Sequence, residues 1–231
     1  MKTSSCTLDP IPTALLKACT SALSLLITHS LQSGSVPPAF KTSVISPLLK
    51  KPTLDPEILA NYRSISIPPF LSKVLEKGVA VQLQDYLKQN NLFEKLQSGF
   101  RQAHSTEMAL FRVTNDLLMA ADVGCLLILL ERLWDTIGLS GAALSWFHSY
   151  LSDRTEYVSL GGSRSRTHHV PCGVPQRSVL GPILFVLYML PLGRVISRCG
   201  ISFHCYANDS QLYVETAPGP SDACARLNAC L

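Results

Sequence analysis

The chain has 231 residues, enough for one large domain or two small ones with a hydrophobic core. Hydrophobic residues make up 47% and charged residues only 16%, which excludes a disordered tail, a coiled coil and a collagen-like repeat. The formal net charge of +4 permits an anionic partner without requiring one.

The first half of the chain combines helical and strand-like patterns of apolar residues. The first helical pattern is closed by Gly34, and the segment that alternates polar and apolar residues stops at Pro68. The patterns predict a helix over residues 13–33, strands over 42–49 and 61–67, an amphipathic helix over 71–87, a polar loop over 97–105 and a further helix to about residue 121.

The second half begins with six apolar residues, 125–130, which we interpret as a buried strand. Towards the end, two alternating segments flank turn residues, as in a β-hairpin. The patterns predict a helix over 139–150, a strand over 156–160, a turn at Gly161-Gly162, a polar loop containing His168-His169, and a hairpin from strands 201–206 and 211–214. Helices and short strands without a regular βαβ rhythm indicate an α+β fold.

Signals for a membrane, secretion or zinc are weak. The most apolar stretch, residues 178–193, is shorter than the roughly 20 residues of a spanning helix and contains two prolines, so we expect no membrane partner. No apolar segment follows Met1-Lys2-Thr3, and the eight cysteines form no Cys-x-x-Cys pair. We therefore expect an intracellular protein, in the nucleus or cytoplasm and not secreted, with reduced thiols and no structural metal.

Taken singly, the polar motifs have ordinary structural explanations. The tip Tyr206-Ala207-Asn208-Asp209 is typical of a turn, and residues 173–178 are typical of a turn before a helix, with Ser178 near its cap. Lys50, Lys51 and Arg63 are, on this interpretation, solvated surface charges.

Together, these motifs and others occur in an order that carries more information. The series is Ile45-Ser46-Pro47-Leu48-Leu49-Lys50-Lys51, Asn61-Tyr62-Arg63-Ser64-Ile65-Ser66, Leu71-Ser72-Lys73-Val74-Leu75-Glu76-Lys77, Gln97-Ser98-Gly99-Phe100-Arg101, His104-Ser105-Thr106-Glu107, Ser149-Tyr150-Leu151-Ser152-Asp153-Arg154, Gly173-Val174-Pro175-Gln176, Ser178-Val179-Leu180-Gly181-Pro182 and Tyr206-Ala207-Asn208-Asp209. Over at least residues 40–215 the chain resembles the reverse transcriptase domain of non-LTR retrotransposons of the LINE type, similar to jockey.

The resemblance implies a right-hand polymerase fold made of fingers and palm, with an incomplete palm and no full thumb. It divides the chain into a helical lead-in over residues 1–40, a fingers-like part over 41–121 and a palm-like part over 122–231. It also implies an RNA template and a DNA primer as partners, and it leaves the oligomeric state open.

The resemblance also implies a chemistry, RNA-directed DNA synthesis by phosphoryl transfer. Two divalent ions, Mg²⁺ or Mn²⁺, held by clustered aspartates would clamp the attacking and leaving oxygens. Asp209 is the matching metal ligand and catalytic residue at the hairpin tip. The matching nucleotide-binding residues are Lys50, Lys51, Arg63 and Gln176.

Three departures from the family pattern fall on this chemistry. Asn208 replaces the first aspartate of the hairpin tip, and a neutral amide lacks the anionic oxygen that Mg²⁺ prefers. Arg177 replaces the glycine after Gln176, where we expect a long side chain to crowd the turn. After Leu130 the family continues with two aspartates, whereas this chain passes to Glu131 and residues that resemble sequence farther downstream, as if the catalytic segment were deleted.

These departures leave three hypotheses. The first is a reverse transcriptase domain that is catalytically inactive. The second is a non-catalytic remnant that binds RNA or an RNA–DNA duplex through Lys50, Lys51, Arg63 and Arg101. The third is a poorly folded relic without function. Glu131, placed just after the predicted strand, is a weaker candidate for a substitute metal ligand.

Overall fold

The computed structural model describes residues 8–9, 13–93, 124–171, 174, 177–198, 201–206 and 209–213. The helices are α1 (Thr13–Ala18), α2 (Thr20–Ser33), α3 (Phe70–Gln89), α4 (Gly124–Asp135), α5 (Gly141–Leu151) and α6 (Gly181–Arg198). The strands are β1 (Thr42–Leu49), β2 (Tyr62–Ile67), β3 (Arg154–Leu160), β4 (Ser163–Arg164), β5 (His168–Val170), β6 (Ser202–Tyr206) and β7 (Asp209–Tyr213).

Most predicted elements are present, and the mixed α+β class is confirmed. Strands β1 and β2, helices α3 and α5, strand β3 and the hairpin β6–β7 occupy the predicted positions within a few residues. The first helix differs, because Cys19 leaves helical dihedral angles (φ −96°, ψ 40°) and divides it into α1 and α2. The predicted loop over 97–105 and the helix that follows it lie outside the described residues.

The strand predicted over residues 125–130 is wrong, because these residues lie inside α4. Leu129, Leu133 and Ile137 follow one another at intervals of four and are all buried. That interval is helical, and leucine is a strong helix former. Leu130 therefore ends no strand, and Glu131 is an exposed residue of a helix.

The larger sheet has the order β2–β1–β3–β4, with β5 also paired to β3. Strands β1 and β2 are antiparallel with Leu49 opposite Tyr62, and β1 and β3 are parallel with Thr42 opposite Thr155. The β3–β4 turn uses Gly161 and Gly162 at positive φ (57° and 85°), as predicted. His168-His169, predicted in a loop, lie in the short exposed strand β5.

The hydrophobic core lies among α3, α4, α5 and α6. Trp146 and Tyr150 stack at 5.3 Å, and Trp146 Nε1 donates a hydrogen bond to Ser30 Oγ (3.0 Å), which joins α5 to α2. Within the described part of the chain, α6 is the helix that by length and composition could cross a membrane. Leu184 and Leu187 of α6 are fully buried, as expected for the core helix of a globular domain.

Candidate nucleic-acid interface and nucleotide loop

One end of the larger sheet collects the cationic residues predicted to bind phosphate. Lys50 and Lys51 directly follow β1, and Arg63 of β2 pairs with Leu48 of β1. The antiparallel register therefore brings the three cations together. The side chain of Lys51 is exposed, and that of Arg63 is half-buried. The sheet thus presents these cations as one group.

Lys50 also has a structural role at this end of the sheet. Its Nζ donates to the carbonyl oxygen of Ala60 at 2.8 Å, and its amide donates to the carbonyl oxygen of Asn61 at 2.9 Å. These bonds close the loop between β1 and β2. The ammonium group keeps further donors for an anion, since lysine has three.

The second candidate region is the segment that leads from the predicted nucleotide loop into α6. Ser178 caps this helix, because its Oγ accepts a hydrogen bond from the amide of Gly181 at 2.8 Å, as the sequence predicts. Glu76 of α3 reaches the same segment, and its Oε2 accepts from the amides of Val179 (2.6 Å) and Leu180 (3.4 Å). The carboxylate of Glu76 therefore holds the backbone in place where the predicted nucleotide loop meets α6.

Glu76 is buried, with 1% of its surface exposed. Its Oε1 also accepts a hydrogen bond from the Ser72 hydroxyl at 3.1 Å. Burial raises the pKa of Glu76, whereas the hydrogen bonds from Val179 and Ser72 and the charge of Arg154 act in the opposite direction. A carboxylate at this place is also favoured by the N-terminal end of the α6 dipole.

Arg154 and Tyr150 complete this buried polar cluster. Arg154 Nη1 donates to the carbonyl oxygen of Tyr150 at 2.9 Å, and the guanidinium lies over the Tyr150 ring at 5.3 Å. Burial lowers the pKa of Arg154 and raises that of Tyr150 well above its ordinary value. Arg154 Nη2 and the Tyr150 hydroxyl have no hydrogen-bond partner among the described residues. The cluster connects β3, α3, α5 and the start of α6.

Arg177 adopts a left-handed conformation, with φ at 57°. The family has glycine here, and such a φ costs a residue with a side chain about 1–2 kcal/mol. The side chain of Arg177 is exposed, and the expected crowding of the turn stays a prediction. The cost that the structure shows lies in the backbone.

We therefore expect Arg177→Gly to stabilise the protein by about 0.5–1 kcal/mol, the strain relieved less the greater entropy of glycine in the unfolded chain. Urea unfolding followed by circular dichroism measures this change. Asn91→Gly is the matched control, because Asn91 also has positive φ (52°) but asparagine tolerates it. A gain for Asn91→Gly equal to that for Arg177→Gly would contradict the argument.

The predicted metal ligand, Asp209, is separated in the sheet topology from the cationic end. Asp209 is the first residue of β7 and pairs with Tyr206 in a separate two-stranded sheet. Asn208 and Gln176 lie outside the described residues. Lys50, Lys51 and Arg63 are thus brought together, and the positions of the remaining predicted site residues relative to them stay predictions.

The described residues do not fit the two-metal site of the resemblance. Such a site needs carboxylates from the end of a strand beside the hairpin, and the residues expected to form that strand belong to α4. In the ranges that the structure describes, no three histidine, cysteine, aspartate or glutamate side chains come together as metal ligands. Glu131 is exposed on α4, and its role as a substitute ligand stays a prediction.

Comparison with known proteins agrees with the motif order. The profile of the family described as "Reverse transcriptase (RNA-dependent DNA polymerase)" matches residues 49–230. This chain belongs to the reverse transcriptase family. The match covers the cationic end of the sheet, the segment that leads into α6 and the hairpin β6–β7, so both candidate regions lie within the family domain.

Curated relatives identify the type of element. The chain is 33% identical over 169 residues to the "Probable RNA-directed DNA polymerase from transposon X-element" of Drosophila melanogaster, covering 66% of this chain and 18% of that protein. It is 32% identical over 182 residues to the "RNA-directed DNA polymerase from mobile element jockey" of the same species, covering 72% of this chain and 20% of that protein. The chain is a reverse transcriptase domain of the non-LTR retrotransposon type and spans about a fifth of the length of these relatives.

Sequence reasoning missed the roles of Glu76 and Arg154. Glu76 lies in the apolar stripe of α3, beside Leu75 and Val79, and an acidic residue on a buried helix face is a signal of a buried polar contact. Arg154 begins a strand and has no comparable signal. Its burial follows from the pairing of β3 with β1, which the sequence pattern does not specify.

Proposed function

We propose that this reverse transcriptase domain binds an RNA template or an RNA–DNA duplex through the cationic end of its larger sheet and does not add nucleotides. The absence of nucleotide addition is inferred from Asn208 at the hairpin tip, together with helix α4 where the family has a strand ending in aspartate. Nucleic-acid binding is supported by Lys50, Lys51 and Arg63, because the register of β1 and β2 brings these cations together at one end of the sheet.

Loss of catalysis follows from the chemistry of the ligands. In-line phosphoryl transfer by two metal ions depends on anionic oxygens that hold both ions, and those ions carry most of the transition-state stabilisation. Divalent ions belong to the family chemistry, but the sequence has Asn208 beside Asp209, and the described residues contain no group of three possible metal ligands. Binding of a nucleic acid has no such requirement, because phosphates need only cations and hydrogen-bond donors.

Primer extension tests the absence of catalysis. We expect the purified chain to give no template-dependent extension of a DNA primer on an RNA template with Mg²⁺ or Mn²⁺. We expect Asn208→Asp to be equally inactive, because one restored carboxylate does not replace the aspartates missing elsewhere. An active reverse transcriptase domain in parallel shows that the assay works, and extension by the unmodified chain would refute this half of the proposal.

Filter binding over a salt series tests retention of nucleic acid. We expect affinity for RNA to fall as salt rises, with a slope that becomes shallower by about 0.7 for each phosphate contact removed from a single strand. The triple variant with alanine at Lys50, Lys51 and Arg63 removes the proposed contacts. Affinity of the unmodified protein that is absent or independent of salt would contradict the proposed binding.

A further inference from the structure

A second cationic group lies on the same face of the larger sheet as Arg63. Side chains on one face repeat every second residue along a strand, and paired residues share a face. Leu48 pairs with Arg63, and Ser159 pairs with Arg164. The pairing of Val44 with Tyr157 places Leu48 and Ser159 on one side, so Arg63 and Arg164 both belong to what we name the Arg63 face.

The charge of this surface is strongly one-sided. The five strands of the larger sheet contain one acidic residue, Glu156, which lies on the opposite face from Tyr157 and pairs with His168. Asp55 and Glu57 lie in the loop between β1 and β2, where an Asp55 carboxylate oxygen accepts the amide of Glu57 at 2.9 Å. The Arg63 face itself therefore carries cations without a carboxylate on its strands.

Arg164 is held in a definite orientation. Its guanidinium lies 3.7 Å from the centroid of the Tyr157 ring, and its Nη2 donates to Thr167 Oγ1 at 3.3 Å. The contact with the ring and the bond to Thr167 restrict the rotamers that the Arg164 side chain can adopt. Because the Arg164 side chain is already ordered before a phosphate binds, the contact costs less conformational entropy.

Between the two arginines this face exposes one large apolar side chain, beside Ser46 and Ser159. Leu48, on β1, is 54% exposed, although leucine is among the residues most often buried. Arg63 on β2 and Arg164 on β4 are three strand spacings apart, which is about 14 Å measured across the strands. Two cations on either side of an exposed apolar side chain match a nucleic-acid strand, whose phosphates are anionic and whose sugars and bases offer apolar contact.

We propose that Arg164, supported by Tyr157, is a second phosphate-binding residue and that one nucleic-acid strand crosses the Arg63 face from Arg63 to Arg164. This inference rests on the proposed nucleic-acid binding and adds to it the β3–β4 hairpin, which neither the family resemblance nor the comparisons assign to any role. Arg166 is exposed and lies two residues beyond Arg164 in the same hairpin, so we expect it to add a further contact.

The test compares single substitutions by filter binding to a single-stranded RNA of about 20 nucleotides. We expect Arg164→Ala to weaken binding about fivefold at 0.1 M salt and to make the salt slope shallower by about 0.7, the effect of one phosphate contact. Arg164→Lys keeps the charge and loses the planar stack, so we expect a smaller loss of affinity with an unchanged slope. Arg166→Ala tests the hairpin without disturbing the stack on Tyr157.

The matched control is Arg194→Ala, which removes one exposed positive charge from α6. Equal weakening by Arg164→Ala and Arg194→Ala would overturn the inference, because net charge alone would then explain the result. The inference would also be overturned if Arg164→Ala and Arg166→Ala both left the affinity for RNA unchanged. If the triple variant at Lys50, Lys51 and Arg63 then still bound RNA more weakly, the proposed function would stand without the inference. Loss of affinity for phosphatidylserine vesicles but not for RNA would assign the surface to a membrane instead. Circular dichroism and thermal unfolding of each variant show that the fold is kept.

Discussion

Glu76→Ala is expected to destabilise the protein by about 3 kcal/mol, a large part of the 5–15 kcal/mol that holds a typical domain together. The substitution removes the acceptor of the Val179 and Leu180 amides and of the Ser72 hydroxyl. It also leaves the buried guanidinium of Arg154 without the nearby carboxylate. Buried donors without a partner and a buried charge without compensation each cost free energy. Chemical denaturation at 25 °C measures the loss.

Glu76→Gln separates charge from hydrogen bonding. The amide oxygen of glutamine still accepts one bond, so we expect a cost within about 1 kcal/mol at pH 7. Because burial raises the pKa of Glu76, the folded state holds this proton more tightly than the unfolded state. The stability that Glu76 contributes is thus complete below its unfolded pKa of about 4.3 and is lost as pH rises through the higher folded value.

The measurable consequence is the difference in unfolding free energy between the unmodified protein and Glu76→Gln. We expect it to favour the unmodified protein most at low pH and to decline as pH rises above about 4.3. Burial also raises the pKa of Asp9 and Glu156, but both residues are present in the two proteins and cancel. A difference that grows with pH would contradict the assigned direction. Glu131→Ala, an exposed glutamate on α4, is the control and should change stability by less than about 0.5 kcal/mol.

The sequence predicts elements best where one pattern has only one explanation. The apolar stripe of α3 and the polar alternation of β2 each match a single period, and both elements appear where expected. Residues 125–130 are six apolar residues in a row, which fit a buried strand and a buried helix equally well. The residues that distinguish a helix from a strand here are Leu133 and Ile137, beyond Leu130, because their spacing continues the helical period.

The residues of the candidate site also differ in whether the sequence could locate them. Lys50 and Arg63 are found from sequence because each borders a recognisable strand, and the register of an antiparallel pair then brings them together. Arg164 could not be placed, because its face depends on β1 and β3 being parallel neighbours, a pairing between residues more than 100 positions apart in the chain. Long-range strand pairing has no local sequence signal, whereas a turn such as Gly161-Gly162 has one.

Nucleic-acid binding and catalysis, as we propose them for this domain, depend on different parts of the molecule. The larger sheet, with its cations, depends on strand pairing and on the buried cluster around Glu76. In the proposed function, catalysis depends on a few carboxylates, and Asn208 replaces one of them. We therefore expect a domain of this kind to lose catalysis before it loses nucleic-acid binding, because binding is spread over many cations and catalysis is not.

Gly34→Ala is expected to cost about 2–4 kcal/mol, because two independent penalties meet at this residue. Gly34 ends α2 at a φ of 62°, a conformation that disfavours a side chain. A Cβ at this position would also lie 3.0 Å from the carbonyl oxygen of Ala142 and 3.0 Å from Ser145 Cβ, so α2 and α5 would have to separate. The close approach of these helices supports the bond from Trp146 to Ser30.

Gly161→Ala isolates the first penalty. Gly161 has nearly the same φ, 57°, and a Cβ there would meet nothing within 4 Å. We therefore expect it to cost only about 1–2 kcal/mol. The excess for Gly34→Ala measures the contact between α2 and α5. Before unfolding, we expect the near-ultraviolet circular dichroism of Trp146 to differ from that of the unmodified protein only in the Gly34 variant. Equal losses of stability in the two variants would mean that α5 moves aside freely and that the backbone angle alone explains the glycine.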